Sequence, residues 1–284
     1  MPKKTLIIIW KQHYSNFNPE QNFWGFGDLL RSLCGASETC KALGINVVFD
    51  LRHHPISKCF VHQQHGYEDY IDGIISKMPL KIFNSVEEFA GRLKLCLKNS
   101  NLECVSPWIG PGVFERDISE HTKTTLKTLL TKTPEFEAYC KTHSPQPPYT
   151  VTHFRLGDTH MQLHGTNRQV AHTKLLNTYT DVISDTLVIS DSSTFKKLIT
   201  ESNLPNTVVS KVEPCHLGVE QDTEKIMSTL CEYFMLTKAR LILTFNVYDR
   251  KSFSGFVLSI NRLFDIPMVN LRSFAATGAP NGVI

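Results

Sequence analysis

GFGDLLRSLCGASETCKALGINVVFDL, Gly25 to Leu51, runs from a glycine-bracketed turn into a helical apolar pattern and then into a short β-branched stretch. Leu29, Leu30, Leu33, Ala36, Cys40 and Leu43 recur every three or four residues, the spacing of one buried helix face. Gly44 falls where such a helix would be capped at its C-terminus. INVVFDL, Ile45 to Leu51, then reads as a buried strand. Upstream, TLIIIW, Thr5 to Trp10, has the unbroken apolar run of a strand covered on both faces. Strand, glycine loop, helix and strand make a βαβ unit, the element from which parallel sheets are built.

Outward from this unit the pattern thins and then returns. SVEEFAGRLKLCL, Ser85 to Leu97, opens like a capped helix with acids in its first turn, and SEHTKTTLKTLL, Ser119 to Leu130, resembles another. KTHSPQPPYT carries Pro145, Pro147 and Pro148, which exclude both regular helix and central strand and mark a linker. Beyond it come strand YTVTHF, strand TLVIS, a helix from Ser192 to Ser202 and strand NTVVS. An amphipathic helix over Thr223–Lys238 follows, with Ile226, Met227, Leu230, Tyr233, Phe234 and Thr237 on one face. Strands LILTF and IPMVNL are separated by the helix expected of SFSGFVLSINRLF. The expected architecture is two α/β domains, residues 1–145 and 146–284, on either side of a cleft.

Composition excludes several classes. The 284 residues are 41% hydrophobic and 20% charged, an ordinary globular balance, and the formal charge of +3 falls short of a duplex-binding stripe. The eight cysteines are scattered with no C-x-x-C, which reads as small core residues in a reducing compartment rather than a disulfide frame. The apolar part of MPKKTLIIIW is too short for a signal peptide, and no run approaches the roughly 20 residues of a membrane span. A soluble cytoplasmic protein is the expectation.

In open parallel sheets ligands bind beyond the carboxyl ends of the strands, which singles out WGFGD, HFRLGD and ISDSS. Arg155 offers a planar fork of donors suited to a diphosphate, and Gly157 lets the backbone turn close to a ligand. Asp191 could accept from a base or ribose hydroxyl, or simply cap the helix that follows. Ser252 and Ser254 open a helix whose N-terminus would suit an anion, and serve equally as caps. His62 with His65, and His160 with His164, have spacings that metal sites use, without the glutamate of a metalloprotease helix or a third ligand nearby. The chain has no G-x-G-x-x-G after its first strand, no P-loop, no G-x-S-x-G and no D-x-D. Dehydrogenase, kinase, hydrolase and metal-diphosphate readings each lose their signature.

In order and spacing, the set WGFGDLLRSLCGASETCKALGINVVFD, HFRLGD, LVISDSS and LILTFNVYDRKSFSGFVLSI resembles the fucosyltransferase superfamily that makes α1,2-, α1,6- and protein O-linked fucose. The resemblance covers the first 50 residues and most of residues 149–264. It implies a GT-B fold, two Rossmann-like domains facing a central cleft, with the C-terminal one holding a nucleotide sugar. It also implies an inverting transfer from GDP-fucose to a glycan or glycoprotein hydroxyl, with no metal and no further cofactor.

Carried over by position, Arg155 is similar to the arginine that binds the donor diphosphate and aids departure of the leaving group. His153, Gly157 and Asp158 belong to the same motif, and Asp191 is similar to the acid that reads base or ribose. Ser252, Phe253 and Ser254 match the segment that closes over the phosphates. Gly25, Phe26, Gly27 and Asp28 match the N-terminal glycine loop. Leu156 stands where the family commonly has a second basic residue, which opens a UDP-sugar such as UDP-xylose as an alternative donor. A sugar-binding module without catalysis is the other alternative. The general base is expected in the N-terminal half, with Asp28 first and His53 and Asp50 behind it; each has an ordinary structural role as well. The lack of an anchor suits a bacterial-type enzyme or one encoded by a large virus and acting in host cytosol.

Overall fold

The computed structural model describes residues 4–10, 25–78, 80–98, 100–109, 113–157, 165–215, 217, 222–247 and 253–272. They fall into two compact units, one within Met1–Ala138 and His216–Ile226, the other within Tyr139–Cys215 and Met227–Ile284.

The first unit is built on β1 (Thr5–Ile9), whose residues Leu6 to Ile9 are wholly shielded from solvent. A strand with an apolar side chain on both faces must be covered on both, and β1 accordingly lies inside a parallel sheet of order β2-β1-β4-β3. Its neighbours are β2 (Asn46–Asp50) and β4 (Leu102–Ile109); β3 (Leu80–Phe83) pairs with β4, so β2 and β3 are the two edges and β2 is only partly buried. Helix α1 (Phe26–Ala42) buries Leu29, Leu30, Leu33, Cys34, Ala36 and Cys40, the face read from the sequence. It stops because Gly44 takes φ +64°, a left-handed backbone that costs a residue with Cβ.

Helix α2 (Glu68–Ile74) follows the loop after β2. Helices α3 (Val86–Cys96) and α4 (Glu120–Leu129) begin at the expected serines: Ser85 Oγ accepts from Glu88 N at 3.1 Å and Ser119 Oγ from Thr122 N at 3.4 Å. Helix α5 (Pro134–His143) sets Phe136 edge-on against Phe60, ring centroids 6.2 Å apart. The middle of this unit, silent in sequence, supplies β3 and β4. LECVSPWI, with a glutamate and a proline, lacks both the apolar run and the alternation that would have announced a central strand.

The second unit is a parallel sheet of order β7-β6-β5-β8-β9. Its centre is β5 (Tyr149–Arg155), flanked by β6 (Leu187–Ser190) and β8 (Ala239–Asn246), with β9 (Met268–Asn270) beyond. The crossover from β5 to β6 runs through α6 (Gly165–Ile183), a helix the sequence reading did not anticipate. Its Leu175, Leu176, Tyr179 and Ile183 pack with Phe154, Val188, Phe195 and Phe245 in one core. Helix α7 (Ser193–Glu201) follows β6, α8 (Thr223–Leu236) precedes β8, and α9 (Gly255–Phe264) links β8 to β9. NTVVS yields only the two-residue β7 (Val208–Val209); at the sheet edge, with Val208 exposed and Asn206 at φ +46°, pairing ends early.

Candidate functional site

The central strand β5 delivers the H-x-R-x-G motif to the carboxyl edge of the second sheet. Arg155 is its last residue, held beside Asn246 of β8, and Val247 N donates to Arg155 O at 3.0 Å. The chain then turns sharply: Leu156 is fully buried and Gly157 sits at φ +62°, which a side chain would strain. What fixes this turn is Asp191, one residue past β6. Its Oδ1 accepts from Leu156 N at 2.8 Å, its Oδ2 from Gly157 N at 2.9 Å, and the Arg155 guanidinium closes an ion pair on Oδ2. One carboxylate thus ties two backbone amides and aims one arginine, whose side chain keeps 32% of its surface in solvent. The helix cap that sequence allowed for Asp191 falls instead to Ser192, whose Oγ accepts from Phe195 N at 3.3 Å.

His153, two residues earlier, is buried. Its Nδ1 lies 3.2 Å from Thr244 Oγ1 on β8, and its ring faces Phe256 in the first turn of α9 at 6.4 Å and 21°. Burial pushes its pKa down to about 4; Asp191 opposes that shift, while Arg155 and Lys196 add to it. The imidazole is therefore neutral at physiological pH. The Phe256 contact also brings the start of α9 to β5. Ser254 Oγ caps that helix, accepting from Val257 N at 3.5 Å, and Phe253 beside it is partly buried. Behind the turn, Lys196 of α7 donates to Glu232 Oε1 at 2.5 Å and to Val212 O at 2.7 Å, all out of solvent. Burial raises the Glu232 carboxyl and the Lys196 charge opposes it. This pair was missed from sequence, although an acid inside the apolar run TLCEYFML was a visible signal.

In the first unit Gly25 is the N-cap of α1, with extended backbone and no side-chain cap; Phe26 and Gly27 are buried in the first turn. Asp28 does not cap the helix. It pairs with Arg31 one turn on. At the end of β2, Asp50 is withdrawn from solvent and fully engaged by Arg52, which donates through its backbone N (2.9 Å) and through Nε to both carboxylate oxygens (3.2 and 2.9 Å). Those bonds to Asp50 hold the Arg52 pKa above its ordinary value. The far side of the same guanidinium reaches Asp72 of α2 at 3.0 Å, and His53 Nε2 lies 3.1 Å from Asp72 Oδ1. His65 Nδ1 accepts from Tyr67 N at 3.2 Å, leaving Nε2 3.5 Å from Asp50.

Set beside solved structures, this arrangement has clear counterparts. Over 100% of this chain and 98% of the other, it superposes on the fucosyltransferase NodZ from Bradyrhizobium with a TM-score of 0.56 at 13% identity. The chain has a GT-B fold. The FUT1 of Arabidopsis thaliana, a point mutant in complex with GDP, matches over 95% of this chain and 70% of that one, with a TM-score of 0.52 and 11% identity. POFUT1 in complex with GDP-fucose matches over 95% and 99%, with a TM-score of 0.50 and 11% identity. No protein-family model matches the sequence, and no curated protein sequence matches it significantly.

Within this GT-B fold the second unit brings together His153, Arg155, Gly157, Asp191 and the start of α9, while the first gathers His53, Asp50, Arg52, Asp72 and His65 at the end of β2. Asp158 and Ser252, and the pair His160 and His164, lie outside the described residues. Of the H-x-x-H pair, His62 is exposed and His65 faces Asp50. Among the described residues no group of three His, Cys, Asp or Glu side chains is set to hold a metal ion, and no helix is long and apolar enough to cross a membrane.

Proposed function

We propose that the protein is an inverting glycosyltransferase that moves fucose from GDP-fucose to a glycan hydroxyl. The observation that carries this reading is the Arg155 guanidinium, aimed by Asp191 at the carboxyl edge of a GT-B sheet where it can meet a diphosphate. Solved proteins of the same fold bind GDP or GDP-fucose.

As the bond from the anomeric carbon to the diphosphate breaks, negative charge grows on the departing oxygen. Donors already oriented toward that oxygen stabilise the transition state more than the ground state. Arg155 supplies a fork of N–H groups whose direction is set before the donor arrives, so little reorganisation is left for the reaction itself. The N-terminus of α9, with Phe253 and Ser254 and its dipole's positive end, adds a second favourable field for the phosphates. Asp158 and Ser252 join this donor set by the family resemblance, which also implies a donor-facing role for Gly25 to Asp28. His153, neutral and packed against Phe256, is the spacer that keeps α9 in register with β5.

A thermal-shift screen of GDP, UDP, ADP and CMP tests the reading. GDP at 100 times its dissociation constant should add roughly 2.7 kcal/mol. Preference for UDP would move the donor to a UDP-sugar, the alternative that Leu156 at the second basic position favours. No stabilisation by any nucleotide would refute the proposal. Binding of GDP without release of GDP from GDP-fucose would leave a binding module.

A further inference from the structure

Arg155, Lys196 and Arg272 stand at or behind the carboxyl edge of the second sheet, and their charges are balanced unequally. Arg155 is paired with Asp191, and Lys196 with Glu232. Arg272, partly buried two residues past the end of β9, meets no carboxylate among the described residues. Its guanidinium lies instead over the Phe245 ring, 4.6 Å from the centroid, and its Nη2 donates to Val247 O at 3.2 Å. Phe245 is itself fixed, edge-on to Tyr179 of α6 at 5.7 Å and inside the core that it shares with Phe154 and Leu271. The Arg272 charge reaches the Tyr179 phenol, where it opposes the upward pKa shift that burial imposes. Stacking on a ring engages the face of a guanidinium and leaves its N–H groups pointing outward in the plane. One of them is taken by Val247 O; among the described residues nothing takes the others.

Val247 joins this arginine to the one already described. Its N donates to Arg155 O at 3.0 Å and its O accepts from Arg272, so one residue at the end of β8 binds both. Strands β5, β8 and β9 are consecutive in the parallel sheet, which puts Arg155 and Arg272 on the same edge of one unit. Asp191 balances only the first of these charges. Holding a partly buried cation without a counter-charge is unfavourable, and an anion bound at that edge removes the penalty. Sequence left Arg272 unmarked, just beyond the strand IPMVNL, because its aromatic platform exists only once β8 and β9 pair.

We infer that Arg272 is a second phosphate-binding residue of the donor site, holding the nucleotide's diphosphate from the β9 side while Arg155 holds it from β5. The inference rests on the nucleotide-sugar reading above and stands within the second unit.

The test is calorimetric titration of wild type, Arg272→Gln and Arg272→Lys with GDP and with inorganic pyrophosphate. Guanosine binding is followed by ligand-observed NMR, and the melting temperature of each free protein is measured. Arg272→Gln keeps an N–H for Val247 O and loses the charge and the fork. It should weaken GDP and pyrophosphate by about 10- to 100-fold, the size of a lost charge-assisted contact, and leave guanosine unchanged. Arg272→Lys, which keeps the charge, guards against loss through misfolding and should hold GDP with intermediate affinity. Folded variants that bind GDP as wild type does overturn the inference alone. A loss that falls equally on guanosine also overturns it, because it marks a structural role. A wild-type protein that binds pyrophosphate through Arg272 but no nucleotide overturns the functional reading and keeps the phosphate site. One that binds neither overturns both.

Discussion

The carboxyl edges of the two sheets are organised on opposite principles. In the second unit a single acid, Asp191, holds backbone: two amides of the turn after β5 and the guanidinium of the strand's last residue, with a buried Lys196–Glu232 pair behind them. In the first unit acids hold side chains, passing from buried Asp50 through Arg52 to Asp72, which is half exposed, and so to His53. The first arrangement fixes where the chain runs and is costly to disturb. The second fixes which way one ring points, and its outer members, Asp72 and His53, stay partly in solvent.

The largest effect expected from breaking this contrast is on turnover. Arg155→Lys keeps the charge and loses the fork, and should lower kcat on GDP-fucose by about 10²- to 10³-fold while donor affinity and melting temperature change much less. Near-normal kcat in a steady-state assay would remove Arg155 from the chemistry.

The next is a matched pair of truncations. Asp191→Ala strands two backbone amides and a partly buried guanidinium, and should cost about 2–4 kcal/mol in urea unfolding. Asp72→Ala, at a half-exposed position, should cost less than about 1 kcal/mol. Equal losses would erase the distinction between a backbone clamp and a side-chain relay.

A pH series sharpens the same point. His153 is held neutral in the folded state, with its pKa down at about 4 against an ordinary value near 6.5. Above pH 6.5 folded and unfolded chains are both neutral there, so nothing is lost. As pH falls from 6.5 toward 4 the unfolded chain takes up a proton that the folded one refuses, and stability should drop by up to about 3 kcal/mol, levelling off below 4. His153→Gln should flatten that slope, and an unchanged slope would assign the acid sensitivity elsewhere. The smallest expected effect is none: turnover should be the same in EDTA and in added Mg²⁺ or Mn²⁺. Loss in chelator with recovery on adding metal would give the acids of the first edge a different task.

Much of the fold was legible because it is local. TLIIIW announces a buried strand, the leucines of α1 announce its buried face, and Ser85, Ser119, Ser192 and Ser254 announce four helix starts, since a cap and the amide it binds lie three residues apart. The second half followed its strand and helix alternation except for the unannounced α6 and the shortened β7. The misses share a cause. β4 is central, yet its sequence carries no period, because packing between β1 and β3 overrides the preferences of Glu103 and Pro107. Helix α6 hides because GTNRQVAHTKLLNTYTDVI is weakly amphipathic, with its apolar contacts crowded toward one end.

The candidate site divides along the same line. The kinds of residue at each strand end are written in the chain: an arginine closing β5 and a glycine just past it, an acid after β6, histidines after β2, and a serine-capped helix after β8. Those follow from local pattern, because each sits where one element stops and the next begins. Which of them meet is settled by packing. Asp191 reaches the turn after β5 from 35 residues away because β5 and β6 are neighbours in a parallel sheet. Asp72 reaches His53 because α2 returns to the end of β2. Contacts of that separation depend on how strands are ordered and helices are laid over them, and strand order is set by the summed packing of a whole sheet rather than by any one segment.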